Sequence, residues 1–471
     1  MAQFRLEEDL LGALEVPAEA YYGVQTLRAL QNFDITGIPI SHYEPFIRSL
    51  ASVKKAAAQA NLELGLLEDD IANAISQACD EIIAGQLLDA FVVDIIQGGA
   101  GTSSNMNANE VIANRALEIL GYEKGQYEFV HPNQHVNMSQ STNDVFPTAL
   151  RITLWVMLDS LVGGMRILQE ALAQKEDEFK DVLKIGRTQL QDAVPMTLGQ
   201  EFGAYAVMVG EDIQRVIEAR NLVREINLGG TAIGTGLNAP HGYALKATRK
   251  LAELSGIPVV KSHDLVEATQ DTGVYVQLSG VLKRFAVKLS KICNDLRLLS
   301  SGPRAGLNEI DLPPMQPGSS IMPGKVNPVI PEVVNQVAYE VIGNDITITM
   351  AAEAGQLELN VMEPVIAFNL FSSIQLLCNA CCTLTERCIR GITANRERCL
   401  LLVKRSIGLV TALVPVLGYE RASEIAKQAL NSGDSVYEIV LKSGELSQEQ
   451  LDVLLSPENM ARPTASGGLK G

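Results

Sequence analysis

Apolar residues recur along the middle of the chain in alternating steps of four and three. Leu154, Leu158, Leu161, Met165, Leu168 and Leu172 form one series. Phe202, Tyr205, Val209, Ile213 and Val216 form a second, and Leu278, Leu282, Phe285, Leu289, Ile292, Leu296 and Leu299 a third. That spacing lines one side of a long helix with apolar side chains and predicts helices packed side by side in a bundle. Further long helical patterns cover about 329–353 and 363–393, and shorter ones cover about 46–64 and 106–120. Leu150, Ile152, Val156 and Met157 fall off the first series. A helix that is apolar on more than one side needs more than one partner, which predicts self-association through the bundle. The first 140 or so residues mix short helical patterns with Gly- and Asn-rich loops. Beyond about 395 the pattern shortens into smaller helices, and ARPTASGGLKG at 461–471 reads as a frayed tail.

Composition agrees with aliphatic helix packing, since 47% of the 471 residues are hydrophobic and only 5% are aromatic. The formal net charge of −17 disfavours nucleic acid and anionic membrane surfaces as partners. An anionic substrate must then be held by local donors against the overall field. The opening MAQFRLEEDLLG lacks the basic-then-apolar pattern of a secretory signal, and no uninterrupted apolar run approaches the ~20 residues that span a bilayer. Of the seven cysteines, Cys378, Cys381, Cys382 and Cys388 share one apolar, helix-like stretch. The Cys378–Cys381 spacing has no second pair or histidine to complete a zinc site, so buried reduced thiols and a reducing compartment, the cytoplasm, are expected.

Four polar segments interrupt the helical rhythm: QGGAGTSSNMN at 97–107, NMSQSTND at 137–144, GRTQLQDAVP at 186–195 and PGSSIMPGKVNPVIPE at 317–332. The first three suit helix caps as well as a site. The fourth packs glycines, prolines, two adjacent serines and a lysine into a stretch longer than a helix connection needs. Its glycines suggest a loop that moves. His42, His131, His135, His241 and His263 show no ligand spacing and read as structural, His135 least safely because it adjoins the second segment. GGAG follows no strand and matches no phosphate-binding loop.

The stretch GSSIMPGKVNP at 318–328 resembles the signature of the fumarase/aspartase superfamily, and the other three segments resemble its conserved stretches in the same order. The likeness runs from YYGVQT at 21–26 to about residue 400. KVNP is similar to the fumarate hydratase and aspartase branches. VIPEVVNQV at 329–337, GGTAIGTGLN at 229–238, NDLRLLSSGPRAGLNEI at 294–310 and GQLELNVMEPV at 355–365 resemble the aspartase branch, several of them being shared with hydratases. The resemblance implies a mainly α, three-domain subunit: an N-terminal domain at 1–141, a central long-helix bundle at 142–396 and a small helical domain at 397–471. It also implies a homotetramer whose active sites draw on three subunits.

The activity so implied is reversible elimination of ammonia from L-aspartate to give fumarate, through a doubly charged aci-carboxylate that needs preorganised donors. By family match, Thr102, Ser141, Thr142 and Ser320 supply those donors, Lys325 and Asn327 bind the other carboxylate, Asn143, Thr188 and Gln189 hold the amino group, and Ser319 is the base. A serine acts as a base only as an oxyanion held by N–H groups and positive charge. No metal or organic cofactor is required by this chemistry. Some aspartases are activated by a divalent metal, and no ligand cluster here decides that point. Fumarate hydratase is the alternative within the family: hydratases resembling this chain carry a histidine at the position of Gln189, paired with a glutamate matching Glu332. A catalytically inactive scaffold of the same superfamily is the second alternative, which the intact Ser319, Lys325 and Asn327 disfavour.

Overall fold

Every residue of the three apolar series is buried in the computed structural model, which describes residues 3–460. The expected tail at 461–471 lies outside the described residues. The series run along helices Thr142–Glu178, Leu198–Arg220 and Gly273–Leu299, and two further long helices cover Val329–Glu353 and Glu363–Arg387. Helix accounts for 63% of the described residues, so the mainly α expectation holds. The described strands form four two-stranded sheets, two of them hairpins, Phe4–Asp9 with Gly12–Pro17 and Leu183–Thr188 with Gln191–Thr197.

The chain divides into two compact units, one of Met1–Val162, Gln214–Arg284 and Glu340–Leu377, the other of Gly163–Ile213, Phe285–Tyr339 and Cys378–Gly471. In the first unit polar pairs fix the lateral register of the long helices. Ser279 donates to Asp345 at 2.8 Å and Asn344 donates to Ser373 at 3.1 Å. In the second, Tyr205 donates to Asp295 at 2.9 Å and Asn335 donates to Ser290 Oγ at 2.9 Å. Each buried donor is satisfied across a helix pair, so sliding one helix by a turn would orphan it.

The off-series residues are a correction to the sequence reading. Leu150, Ile152 and Met157 are buried within a single chain, and only Val156 is left exposed. Helix Glu44–Glu63 covers part of that side: Phe46 meets Phe146 edge-on, and Thr153 donates to Ser49 at 3.0 Å. By length and mean hydropathy two helices, Thr142–Glu178 and Glu363–Gly391, would suffice to cross a membrane, but 78% and 56% of their apolar windows are buried inside the protein. None of the seven cysteines forms a disulfide. Five are buried, but Cys382 is exposed, contrary to the expectation of uniformly buried thiols.

Helix Thr102–Ile119 starts after Gly101, whose φ of +89° is left-handed and whose missing side chain leaves room for the ring of Phe146. Gly101→Ala combines left-handed strain of ~1–2 kcal/mol with overpacking of ~1–3 kcal/mol. Gly121, with φ +87° and nothing within 4 Å of its missing Cβ, carries only the first of these penalties. Thermal unfolding should place the Gly101→Ala midpoint clearly below that of Gly121→Ala. Equal midpoints would show that Phe146 yields at no cost.

Candidate active site

In the first unit the second polar segment is a helix cap, and it does more than cap. Ser141 Oγ accepts from the Asn143 N–H at 3.2 Å, while Asp144 Oδ1 accepts from the Ser141 N–H at 3.1 Å. This reciprocal pair opens helix Thr142–Glu178. The other carboxylate oxygen of Asp144 accepts from the N–H groups of Gly229 and Thr231, at 3.0 and 2.9 Å. Asn227 donates to the Asn143 carbonyl at 2.9 Å, and Asn143 Nδ2 donates to the Ala232 carbonyl at 2.7 Å. A carbonyl only accepts, so the amide nitrogen of Asn143 must face it. The Asn143 Oδ1 atom then remains to receive a donor. Thr142 is buried and accepts from Asn105 at 3.1 Å, whereas Thr102 is exposed and donates to the Gly99 carbonyl at 2.7 Å.

Beneath this segment lies Lys54, fully buried, donating to Asn137 Oδ1 at 2.8 Å and Gln140 Oε1 at 3.0 Å. Burial lowers its ammonium to about 7, opposed by the charge of Asp144. Burial raises Asp144 to about 6, opposed by its three backbone hydrogen bonds and by Lys54. Ser139 sits at φ +62° with its hydroxyl on Asn61 Oδ1 at 2.8 Å. Lys54, Asn105, Asp144 and Asn227 were not singled out from the sequence. The nearest signal was the S-x-x-D spacing of Ser141 and Asp144.

His135 turns out to be architectural: its Nδ1 accepts from the His131 N–H at 2.9 Å, within a tight turn at Pro132–Val136. His131 Nδ1 in turn accepts from the Asn133 and Gln134 N–H groups. Burial lowers both histidines, and each accepting nitrogen requires the neutral ring.

In the second unit Thr188 ends a strand and Gln189 and Leu190 form the hairpin tip, all three exposed, with φ of +54° and +62° at the two tip residues. The hairpin base is anchored. Lys184 pairs with Glu309 at 3.1 Å and Arg187 pairs with Glu309 at 2.7 Å, the carboxylate being fully buried. Leu183 and Ile185 pack into an apolar cluster with Val403, Leu409, Leu413 and Ile425 of the C-terminal helices.

The fourth segment is a loop with a closed neck. Gly318 N–H donates to the Lys325 carbonyl at 2.7 Å and Asn327 Nδ2 donates to the Gly318 carbonyl at 2.8 Å. A Cβ on Gly318 would lie 2.6 Å from the Lys325 oxygen. Gly318 is thus a close-approach glycine and not the free hinge the sequence suggested. Beyond the neck, Ser319 Oγ accepts from the Ile321 and Met322 N–H groups at 3.2 and 3.1 Å. Ser320 and Lys325 are exposed, and Glu332 is exposed in the first turn of the next helix.

Among the described residues no three His, Cys, Asp or Glu side chains form a metal-binding group. A cavity of about 200 Å³ in the first unit, lined by Arg151, Glu225, Ser262, Glu267, Asp271 and Gln277 among others, contains none of the candidates.

Residues 12–343 match a family model described as lyase, and residues 409–462 match one described as fumarase C C-terminus. The aspartate ammonia-lyase of Helicobacter pylori is 60% identical, over 98% of this chain and 98% of its own. A Brucella melitensis structure described as fumarate lyase:delta crystallin bound to cobalt shares 57% identity and superposes with a TM-score of 0.96, over 98% of this chain and 100% of its own. A class II fumarase structure from Schistosoma mansoni shares 36% identity with a TM-score of 0.91, over 98% and 100%. The chain belongs to the fumarase/aspartase superfamily of lyases.

Proposed function

We propose that this chain is an aspartate ammonia-lyase, eliminating ammonia from L-aspartate to give fumarate. The observation that carries this is the 60% identity to an aspartate ammonia-lyase over 98% of both chains. The fold does not choose between ammonia and water, because a class II fumarase superposes almost as well. Position 189 favours ammonia. Departing hydroxide needs an acid, and the neutral amide of Gln189 has no proton to give. An ammonium group already carries its proton and leaves as neutral ammonia.

The step requires a base to take a proton from the carbon next to the side-chain carboxylate. The electron pair first loads that carboxylate with a second negative charge, then forms the double bond as the C–N bond breaks. Ser319 is the proposed base. Its Oγ already accepts two backbone N–H groups, which favour the oxyanion over the hydroxyl. Thr102, Ser141, Thr142 and Ser320 are assigned to the doubly charged carboxylate, and Lys325 with Asn327 to the other one. Thr188, Gln189 and the accepting oxygen of Asn143 are assigned to the ammonium, a pure donor.

The superfamily's homotetramer, with each active site shared between subunits, is part of this proposal. Apolar side chains left exposed on the long helices support it, Tyr339 at 60%, Ile346 at 59% and Met350 at 68% along a single helix. The absence of any disulfide among the seven cysteines supports a reducing compartment, the cytoplasm.

The test is fumarate formation followed by absorbance: kcat/KM should be far larger for L-aspartate than for L-malate, and a ratio below one would establish the hydratase instead. Ser319→Ala should lower kcat by at least ~10² while assembly is unchanged. A variant keeping a substantial fraction of wild-type turnover would remove Ser319 as the base. Mixing inactive Ser319→Ala with inactive Thr188→Ala subunits should restore part of the activity, because some shared sites then receive two intact contributions. An active monomer by light scattering would reject shared sites.

A further inference from the structure

The first unit contains a carboxylate that bonds none of the side chains assigned to substrate yet holds the backbone of the segment that carries three of them. Asp144 is fully buried. One oxygen takes the Ser141 N–H at 3.1 Å, and the other takes the N–H groups of Gly229 and Thr231 at 3.0 and 2.9 Å. It therefore clamps two segments that are 85 or more residues apart in the chain. The second segment needs clamping. Thr231 is β-branched at φ +56°, and Gly229 at φ +92° approaches the Ala244 side chain so closely that a Cβ would lie 2.5 Å from it. Two amides complete the lacing, Asn227 on the Asn143 carbonyl at 2.9 Å and Asn143 on the Ala232 carbonyl at 2.7 Å.

We propose that Asp144, seconded by Asn227, is a positioning residue of the lyase reaction, fixing Ser141, Thr142 and Asn143 by bolting their backbone to the 227–232 segment. This rests on the assignment of those three residues to substrate under the proposed function. Two features of the geometry argue for positioning rather than plain stability. First, the clamp fixes the orientation of Asn143: its nitrogen is held by Ala232, so its oxygen is presented. Second, the Ser141 N–H is bonded to Asp144 while its hydroxyl only accepts, from the Asn143 N–H at 3.2 Å. The proton of the hydroxyl is thus kept for an outside acceptor. Lys54 supports the same segment through Asn137 and Gln140, at 2.8 and 3.0 Å, and supplies the opposite charge.

Asp144→Asn sets an amide N–H₂ against backbone donors and frees one of the two segments. A shift of the order of an ångström in donors costs about 10²-fold in kcat/KM. The experiment uses the full-length assembled protein. It measures kcat and KM for L-aspartate, the inhibition constant for succinate as a dicarboxylate without a leaving group, and the thermal midpoint. Glu110→Gln is the matched control, because Glu110 is equally buried and accepts the N–H groups of Gly23, Gln25 and Thr26, away from the 141–144 segment. Asp144→Asn should raise KM and the succinate constant together and lower kcat. Glu110→Gln should lower the thermal midpoint and leave all three constants within about twofold. Where Asp144→Asn does not assemble, Asn227→Ser decides, with an expected rise of severalfold in KM and in the succinate constant. If wild type consumes aspartate but the assembled variants keep its constants, the positioning role is overturned and the lyase assignment stands. If wild type does not consume aspartate, the lyase assignment itself falls.

Discussion

A loop that runs through a protein interior must find partners for every backbone N–H it carries inward, because no neighbouring strand or helical turn supplies them. In the first unit three buried carboxylates meet that demand, or the like demand of the unpaired N–H groups at a helix start. Asp94 accepts the N–H groups of Ile35, Thr36, Gly37 and Ile96. Glu110 accepts those of Gly23, Gln25 and Thr26, and Asp144 those of Ser141, Gly229 and Thr231. The long helices supply rigidity through their apolar sides. Asp94 and Asp144 transmit that rigidity to segments with no regular structure, and Glu110 to the start of helix Val24–Asn32. Burial opposes each of them and the N–H donors oppose burial. The donors prevail at Asp94, whose carboxyl is lowered, whereas burial prevails at Glu110, raised to about 7, and at Asp144, raised to about 6.

The helices were legible because their periodicity survives without context. The residues at 329–353 read as a helix and are one, and the pattern at 363–393 starts with its helix but runs six residues past its end at Arg387. The supporting polar residues were not legible, for a physical reason visible at Lys54 and Lys55. Adjacent residues on a helix point about 100° apart, so one of the two is fully buried on Asn137 and Gln140 while its neighbour pairs with Asp80 at the surface. Nothing local in VKKAAA says which lysine faces inward. Leu150, Ile152 and Met157 failed in the same way: apolar residues off the main series announce a partner but not whether it is another helix of the same chain or another subunit. The opening hairpin, Phe4–Asp9 with Gly12–Pro17, passed unread beside the helical patterns because it is short and acidic.

The candidate residues themselves were legible by resemblance, and the structure adds what their setting costs. Side chains rarely tolerate left-handed backbone, yet Ala100, Ser139, Gln189 and Leu190 adopt it within the polar segments, and Thr231 adopts it where its N–H meets Asp144; Leu87, Asn238, Asn308 and Leu357 adopt it elsewhere. Strain of this kind persists only where surrounding contacts over-determine it, and it gathers at functional sites. The contacts are present here: Asp144 on Thr231, Asn61 on Ser139, and the Lys184 and Arg187 pairs with Glu309 below the hairpin.

The hairpin tip combines left-handed backbone with exposed side chains. A two-residue turn with both tip residues left-handed prefers Asn-Gly, which adopts that conformation with little strain. The chain places Gln-Leu there instead, both exposed, so neither residue gains burial in return within one chain. Local preference alone would have removed this glutamine. Its presence agrees with the proposed role of the amide toward a partner outside the turn, and the anchored base of the hairpin allows it. The ion pairs of Lys184 and Arg187, with Leu183 and Ile185 set in an apolar cluster, hold the strands firmly enough to keep an unfavourable turn in place. A local rule broken where the surrounding structure holds the break is the pattern expected of a functional position, which is what the proposed role of Gln189 requires.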